Sequence, residues 1–260
     1  MDWRTRVMKR AIDVAGASVG LALSAPLFPV IAAAVKITSR GPIFYQQVRC
    51  AAERRSGISP AHPPETERRR EERGYHTFRM TKFRTMRVDA EKNTGAVLAS
   101  KNDPRTTPIG AFLRKTRLDE LPQLVHVLRG EMSLVGPRPE RPEMMEELCS
   151  DIPFFEERMR LIKPGLTGLA QISLNYDGTL NDSVKISPAL RDYMNRHRED
   201  RPVVPGKDVP AGRADMRSFG NKLLFDLAYG AILENPVDSL RTDLEIMVKT
   251  PLVMILGRGW

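Results

Sequence analysis

The chain has 260 residues, a formal net charge of +9 and a pI near 9.8, which point to an anionic partner: nucleic acid, an anionic membrane surface or a phosphorylated substrate. Its two cysteines, Cys50 and Cys149, form no CxxC pair, and His62, His76, His126 and His197 lack ligand spacing, so neither a disulfide framework nor a zinc site is indicated. A reducing, cytoplasmic setting is the default.

From Val14 to Val35 no residue carries a charge. As one straight helix this stretch reaches about 33 Å, enough for a hydrocarbon core of about 30 Å. Pro26 and Pro29 sit near its midpoint, where each removes a backbone donor and bends the helix. Both flanks are basic, with Arg4, Arg6, Lys9 and Arg10 before and Lys36, Arg40 and Arg49 after. The positive-inside rule then favours both ends on the cytoplasmic side. Split at Ser24 to Pro26, each leg has about 11 residues and reaches about 16 Å, half the depth of the core. Residues 1–40 therefore read as a re-entrant helical hairpin with basic flanks, in which the Ser24 hydroxyl serves a carbonyl freed by the break. A single-pass anchor and a cleaved signal peptide are the competing readings. The second shares the basic start and the small residues Ala32, Ala33 and Ala34, but not the length of the apolar stretch.

Residues 41–260 follow as a cytosolic domain. Gly41 to Arg49 reads as extended, and His76 to Met86 as a second strand or hairpin partner. Between them, Arg54, Arg55, Arg68, Arg69, Arg70 and Arg73 face Glu53, Glu65, Glu67, Glu71 and Glu72, a nearly balanced set with no interleaved aromatics. With Pro60, Pro63 and Pro64 this is a solvated loop, and nucleic acid is not expected as a partner. Residues 108–129 are helical by pattern, with Leu113, Leu118, Leu121, Leu124, Val125 and Leu128 on roughly one side. Pro122 must lie near a helix start or break, since an interior proline costs about 3 kcal/mol. That puts Asp119 and Glu120 at a helix's first turn, where unpaired N–H groups help hold phosphate. A second polar stretch, 181–217, reads as a loop or short helices. The C-terminal runs 223–229 and 244–256 read as core helices or, with Lys222, Lys249 and Arg258 nearby, as interfacial ones.

The chemistry concentrates in Arg114-Lys115-Thr116-Arg117-Leu118-Asp119-Glu120-Leu121-Pro122-Gln123 and in Gly136-Pro137-Arg138-Pro139. Two adjacent carboxylates stand in a basic neighbourhood, and a further arginine rides on a stiff Gly-Pro turn. That set suits a phosphorylated substrate, with or without a metal. Taken alone, the Asp-Glu dipeptide reads as ordinary surface acids in salt bridges with Arg114 and Arg117, and only the whole block together points to the site chemistry.

These runs, with Lys82-Phe83-Arg84-Thr85-Met86 before them and Lys163-Pro164-Gly165-Leu166-Thr167-Gly168-Leu169-Ala170-Gln171 after, resemble the bacterial sugar transferase family. These are the monotopic phosphoglycosyl transferases. The resemblance runs in order from about Lys9 to the C-terminus and is broken by insertions near 50–73 and 181–217. It implies an α+β fold, predominantly α. A re-entrant membrane hairpin would pack on a cytosolic domain with a small β element and interfacial amphipathic helices. It also implies the reaction: a sugar phosphate passes from a UDP-sugar to polyprenyl (undecaprenyl) phosphate with release of UMP, at the cytoplasmic side of the bacterial inner membrane. The chain resembles the family's minimal catalytic form; homo-oligomerisation is left open.

Carried over by motif, Asp119 is the nucleophile that takes the sugar phosphate, and Glu120 positions Mg²⁺ with it or acts as a base. Lys82, Arg84, Arg114 and Arg138 would clamp diphosphate oxygens, while Arg117 is either a fifth clamp or a solvated charge. Lys163, Gly165 and Gly168 resemble the family's nucleotide-side loop, where glycine lets backbone approach a ligand. Asp226 matches a recurring aspartate, read as structural. His126 replaces the family's common asparagine, and Ile172 to Gly178 departs from its usual Gly-Arg-Asn character, so donor preference is not inherited. The alternatives are a Mg²⁺-dependent lipid-diphosphate hydrolase and a non-enzymatic basic adaptor tethered to the membrane.

Overall fold

The computed structural model describes residues 1–51, 76–90, 92, 103–159, 162–174 and 216–255. Nearly all of the two predicted insertions falls outside these residues. The described chain is predominantly helical with two small two-stranded sheets.

Helix α1 (Trp3–Ser24) and helix α2 (Leu27–Thr38) meet at a break bent by 61°. No single helix among the described residues is long and apolar enough to cross a membrane, whereas this bent pair passes that test together. The break falls at Ala25 and Pro26, within the expected Ser24 to Pro26, but the legs are unequal because α1 starts near the N-terminus. The Ser24 hydroxyl donates to the Gly20 carbonyl at 2.7 Å, rather than serving Ala22, whose carbonyl loses its donor at Pro26.

Helix α1 wears its amphipathicity inside out. Its buried residues are Thr5, Lys9, Asp13, Ala17 and Ser24, while Val7, Val19 and Leu23 face outward. Lys9 Nζ donates to Asp243 (2.8 Å), to the Tyr229 hydroxyl (2.7 Å) and to the Val135 carbonyl (3.0 Å). Asp13 Oδ1 accepts from Ser133 Oγ (2.9 Å) and from the Leu134 N–H (2.8 Å). Polar chemistry therefore docks α1, and apolar surface is left outside.

Strand β1 (Phe44–Ala51) pairs antiparallel with strand β2 (His76–Phe83), aligning Tyr45 with Lys82 and Arg49 with Phe78. The predicted extended segments thus form one hairpin. Its Phe83 packs with Ile31, Val35 and Leu113, which joins α2 to helix α3 (Pro108–Thr116). Thr107 caps α3 by accepting from the Gly110 N–H at 3.0 Å.

The helical stretch 108–129 is two helices, with the second starting just after Pro122 as that proline implied. Arg117 adopts a left-handed conformation (φ 56°), which closes α3 and opens a single 3-10 turn, Leu118–Glu120. Pro122 then stands at the N-cap of helix α4 (Gln123–Arg129). Leu118 and Leu121, on either side of the Asp-Glu pair, pack into the Phe83 cluster and pin the turn. Gly130 (φ 79°) ends α4 in the left-handed conformation that favours glycine, and Arg10 caps the helix by donating to Val127 O and Leu128 O, each at 2.6 Å.

Strand β3 (Ser133–Val135) runs parallel to strand β4 (Gly165–Thr167). Helix α5 (Pro142–Asp151), a 3-10 segment (Phe155–Met159) and helix α6 (Leu169–Ser173) complete the middle of the chain. Helices α7 (Met216–Ile232) and α8 (Pro236–Ile255) close the fold. Tyr229, Leu233, Ile246 and Val253 from them join Val127, Met132 and Val135 in the main core.

Candidate active site

The 3-10 turn places both acids at a junction between the β hairpin and the start of α4, and both are buried. The reading of Asp119 and Glu120 in a helix's first turn is corrected accordingly: they precede α4, and the left-handed Arg117 separates them from α3.

Their environments differ. Arg138 Nη2 donates to Glu120 Oε1 at 2.6 Å, and Arg117 Nη1 lies 3.5 Å from the same oxygen. Burial alone would raise the Glu120 pKa, but the two guanidiniums outweigh it and hold the carboxyl at about 2. The same pairing raises the Arg138 pKa. Asp119 Oδ1 is buried with no hydrogen-bond partner among the described residues. Burial first, and the adjacent Glu120 charge second, push the Asp119 carboxyl up to about 6. One acid is thus a fixed anion, and the other is a buried carboxylate with one oxygen left unengaged among the described residues.

Lys82 completes the near shell. It stacks over the Tyr45 ring at 5.5 Å, and burial lowers its pKa to about 8 while Asp119 and Glu120 act against that fall. Behind it lies a second ionic cluster. Glu140 has Arg49 at 4.0 Å and Arg158 and Lys222 each at 3.6 Å, and Arg158 pairs with Asp226 at 2.7 Å. Burial lowers Arg49 to about 10 and Lys222 to about 8. Across both clusters stand six buried or half-buried cations, Arg49, Lys82, Arg117, Arg138, Arg158 and Lys222. They face four carboxylates, Asp119, Glu120, Glu140 and Asp226. Arg114 and Arg141 add to the positive side among the described residues, since their charges act on Arg117 and Arg49.

Other predicted site residues sit elsewhere. Arg84 donates through Nη1 to Arg40 O (2.7 Å) and through Nη2 to Ser39 O (2.6 Å), so its guanidinium tethers the end of α2. Arg114 Nη1 lies 3.3 Å from Thr106 Oγ1, and its charge acts on Arg117. Lys163 is exposed, with its ammonium beside Gly130 and Arg10, at the far end of α4 from the dyad. At Gly165 and Gly168 a Cβ would come within 2.2 Å of Gly136 backbone atoms. These glycines thus permit a close approach of this loop to the backbone at Gly136. Asp226 holds Arg158, as its structural reading implied.

Sequence reasoning missed Arg49 as a site residue and passed over Glu140, Arg158 and Lys222. Arg158 follows Glu156 and Glu157 and reads as one more surface charge; only the fold reveals it as 1% exposed. His126, the departure from family pattern, accepts the Thr81 N–H at Nε2 (3.0 Å) and meets Glu131 through Nδ1 (2.6 Å). It braces α4 on β2.

Among the described residues no group of three or more His, Cys, Asp or Glu gathers as a metal cage. Mg²⁺ does not require one, because one or two carboxylates suffice when substrate phosphates complete its shell. The unpartnered Asp119 Oδ1 beside Glu120 fits that donor set.

The sequence profile described as Bacterial sugar transferase matches residues 4–57 and 59–187. A Bacillus subtilis (strain 168) protein, provisionally named undecaprenyl-phosphate N-acetylgalactosaminyl 1-phosphate transferase, is 40% identical over 156 residues, covering 60% of this chain and 75% of its own. The UDP-glucose:undecaprenyl-phosphate glucose-1-phosphate transferase of Klebsiella pneumoniae is 40% identical over 64% of this chain, but the match spans only 31% of that relative. The exopolysaccharide production protein ExoY of Rhizobium meliloti (strain 1021) is 39% identical over 64% of this chain and 68% of its own.

Proposed function

The chain belongs to the bacterial sugar transferase family, and we propose that it transfers a sugar phosphate from a UDP-sugar to undecaprenyl (polyprenyl) phosphate, releasing UMP. The observation that carries this reading is the buried Asp119 carboxylate, one oxygen of which has no partner among the described residues, set among the cations Lys82, Arg117 and Arg138. Cations gathered in a largely buried site favour an anionic ligand, and a diphosphate is one.

In the first step an Asp119 carboxylate oxygen attacks the phosphorus that bears the sugar. The bond from that phosphorus to the bridging oxygen breaks, and UMP leaves with the electron pair. An acyl phosphate links Asp119 to the sugar. In the second step an oxygen of undecaprenyl phosphate attacks the same phosphorus, and the carboxylate departs unchanged. Splitting the exchange means that the two phosphate substrates need not meet in one transition state, and UMP can leave before the lipid phosphate attacks. Lys82 and Arg138 hold the diphosphate oxygens, and Arg138 also keeps Glu120 anionic. Asp119 and Glu120 would hold Mg²⁺, which when bound supplies further positive charge to those oxygens.

The inside-out helix pair supports a membrane setting. Leu23 (77% exposed), Val30 (65%) and Ile37 (84%) present apolar surface on α1 and α2, an arrangement stable against lipid and costly in water. A re-entrant pair entering from the cytoplasmic side of the inner membrane brings Asp119 to the level of the lipid phosphate. The reading places the enzyme at the first membrane step of a surface glycan, an exopolysaccharide among them. Purified protein in detergent with Mg²⁺, undecaprenyl phosphate and a panel of UDP-sugars tests it. UMP release that requires the lipid phosphate is expected, whereas release into water alone identifies the hydrolase instead.

A further inference from the structure

The turn that carries Arg138 has a backbone problem. In Pro137-Arg138-Pro139 two of three residues have no N–H, so the turn is anchored through its carbonyls. Four consecutive carbonyls are each held by a different donor. Pro137 O accepts from the Gly165 N–H at 2.8 Å and Glu140 O from the Cys50 N–H at 2.9 Å. Between them, Arg138 O accepts from Arg158 Nη2 and Pro139 O from Arg49 Nη1, each at 3.1 Å.

The two inner donors are guanidiniums from distant parts of the chain, and each is itself fixed. Arg158 Nε donates to Asp226 Oδ2 at 2.8 Å, and Arg49 Nη2 donates to Gln47 Oε1 at 2.6 Å. Arg158 is 1% exposed and Asp226 2%, so neither can reach solvent without unpacking helix α7. A buried ion pair is a poor way to gain stability, because apolar residues of the same volume do as well. What apolar residues cannot do is hold a carbonyl.

We propose that Arg158, oriented by Asp226, together with Arg49, are positioning residues that act on the reaction through Arg138, by fixing the main chain of its turn. They grip the backbone of the residue whose side chain binds Glu120, and they do not touch substrate. The inference rests on the catalytic reading of Arg138 and Glu120 given above. A displacement of about 1 Å at a residue that orients the reacting groups is enough to cost about a hundredfold in rate.

The test uses the full chain in detergent. Arg158→Met alone would bury Asp226 unpaired and risk misfolding, so it is replaced as a pair, Arg158→Met with Asp226→Leu. Arg49→Met is a second, separate variant, since Glu140 keeps Arg158 and Lys222. Two readouts are taken: hydrogen exchange at the amides of Gly136, Arg138 and Glu140, and UMP release in a double-mutant cycle with Arg138→Met. We expect exchange at those amides to rise about tenfold or more in the pair variant, with the β1–β2 hairpin unchanged. We expect UMP release to fall about ten- to a hundredfold in the wild-type background but less than about threefold further in Arg138→Met. Losses that multiply in full overturn the inference, because they mean an action independent of Arg138. Unchanged exchange at the turn overturns it too. The exchange readout needs no turnover, so a failed grip on the turn is told apart from a failed transferase reading: unchanged exchange sinks the inference, and changed exchange with no UMP release from any UDP-sugar sinks the reading on which it rests.

Discussion

Arg138 Nη2 lies 2.6 Å from Glu120 Oε1, while Asp119 Oδ1, one residue earlier, is buried without a partner among the described residues. Two neighbouring carboxylates share one dry site and are driven apart in pKa, one to about 2 and the other to about 6. Two like charges so close do not both ionise at ordinary values unless one is neutralised. Arg138 neutralises Glu120, which leaves Asp119 as the carboxylate that the proposed mechanism uses as nucleophile. The dyad is asymmetric because of a residue that lies on a separate turn.

This asymmetry sets the pH dependence. Asp119 must be a carboxylate to attack, and its pKa is raised, so kcat/KM rises as pH rises through about 6. Lys82 must be an ammonium, and burial lowers its pKa, so kcat/KM falls as pH rises through about 8. A bell with those two limbs is expected. In Lys82→Arg the alkaline limb moves upward or vanishes, because a guanidinium keeps its charge there.

Catalytic poise here opposes stability. The folded-state pKa of Asp119 lies above its ordinary 3.8, so the folded state loses stability as pH rises from about 4 through about 6. Asp119→Asn removes that loss. Its Tm is expected to exceed that of the wild type at pH 8, by about 2–4 °C for each kcal/mol recovered, and the gap narrows at pH 5. A lower Tm at pH 8 would mean that the Asp119 carboxylate is held by a stabilising contact.

Much of this was legible in the sequence, for identifiable reasons. The Pro26 break, the hairpin of Phe44–Ala51 with His76–Phe83, and the gathering of Lys82, Asp119, Glu120 and Arg138 follow from local pattern and contiguous motifs. The left-handed turn at Arg117 did not, although Pro122 announced a break beside it, because positive φ is a conformation that this residue type does not advertise. Nor did the true partners of Arg84, whose guanidinium serves two carbonyls more than forty positions earlier. Glu140, Arg158 and Lys222 sit in ordinary charged runs, and only tertiary packing makes them buried.

Gly165 offers a test of the strand interface beneath the Arg138 turn. A Cβ there would lie 2.2 Å from Gly136 N and 2.4 Å from Gly136 O, so the strands must separate. Gly165→Ala is expected to destabilise the protein by about 3 kcal/mol and to lower UMP release, since Gly165 also holds Pro137 O. A fully stable, fully active alanine variant would refute this packing.

The helix pair makes a topological prediction. With Cys50 and Cys149 replaced by serine, single cysteines placed at Asp2 and Arg40 should both react with an impermeant thiol reagent in inverted vesicles, and neither in intact cells. Labelling from opposite sides would establish a spanning helix instead. Leu23→Glu with Val30→Glu should shift the protein out of the membrane fraction, because both side chains face outward.

The most direct measurement is the intact mass of the protein after incubation with a UDP-sugar and Mg²⁺ in the absence of lipid phosphate. The account predicts a gain of one sugar phosphate on the wild type, mapped to Asp119, absent from Asp119→Asn and discharged when undecaprenyl phosphate is added. Lipid-dependent UMP release that persists in Asp119→Asn, with no adduct on either protein, would contradict it.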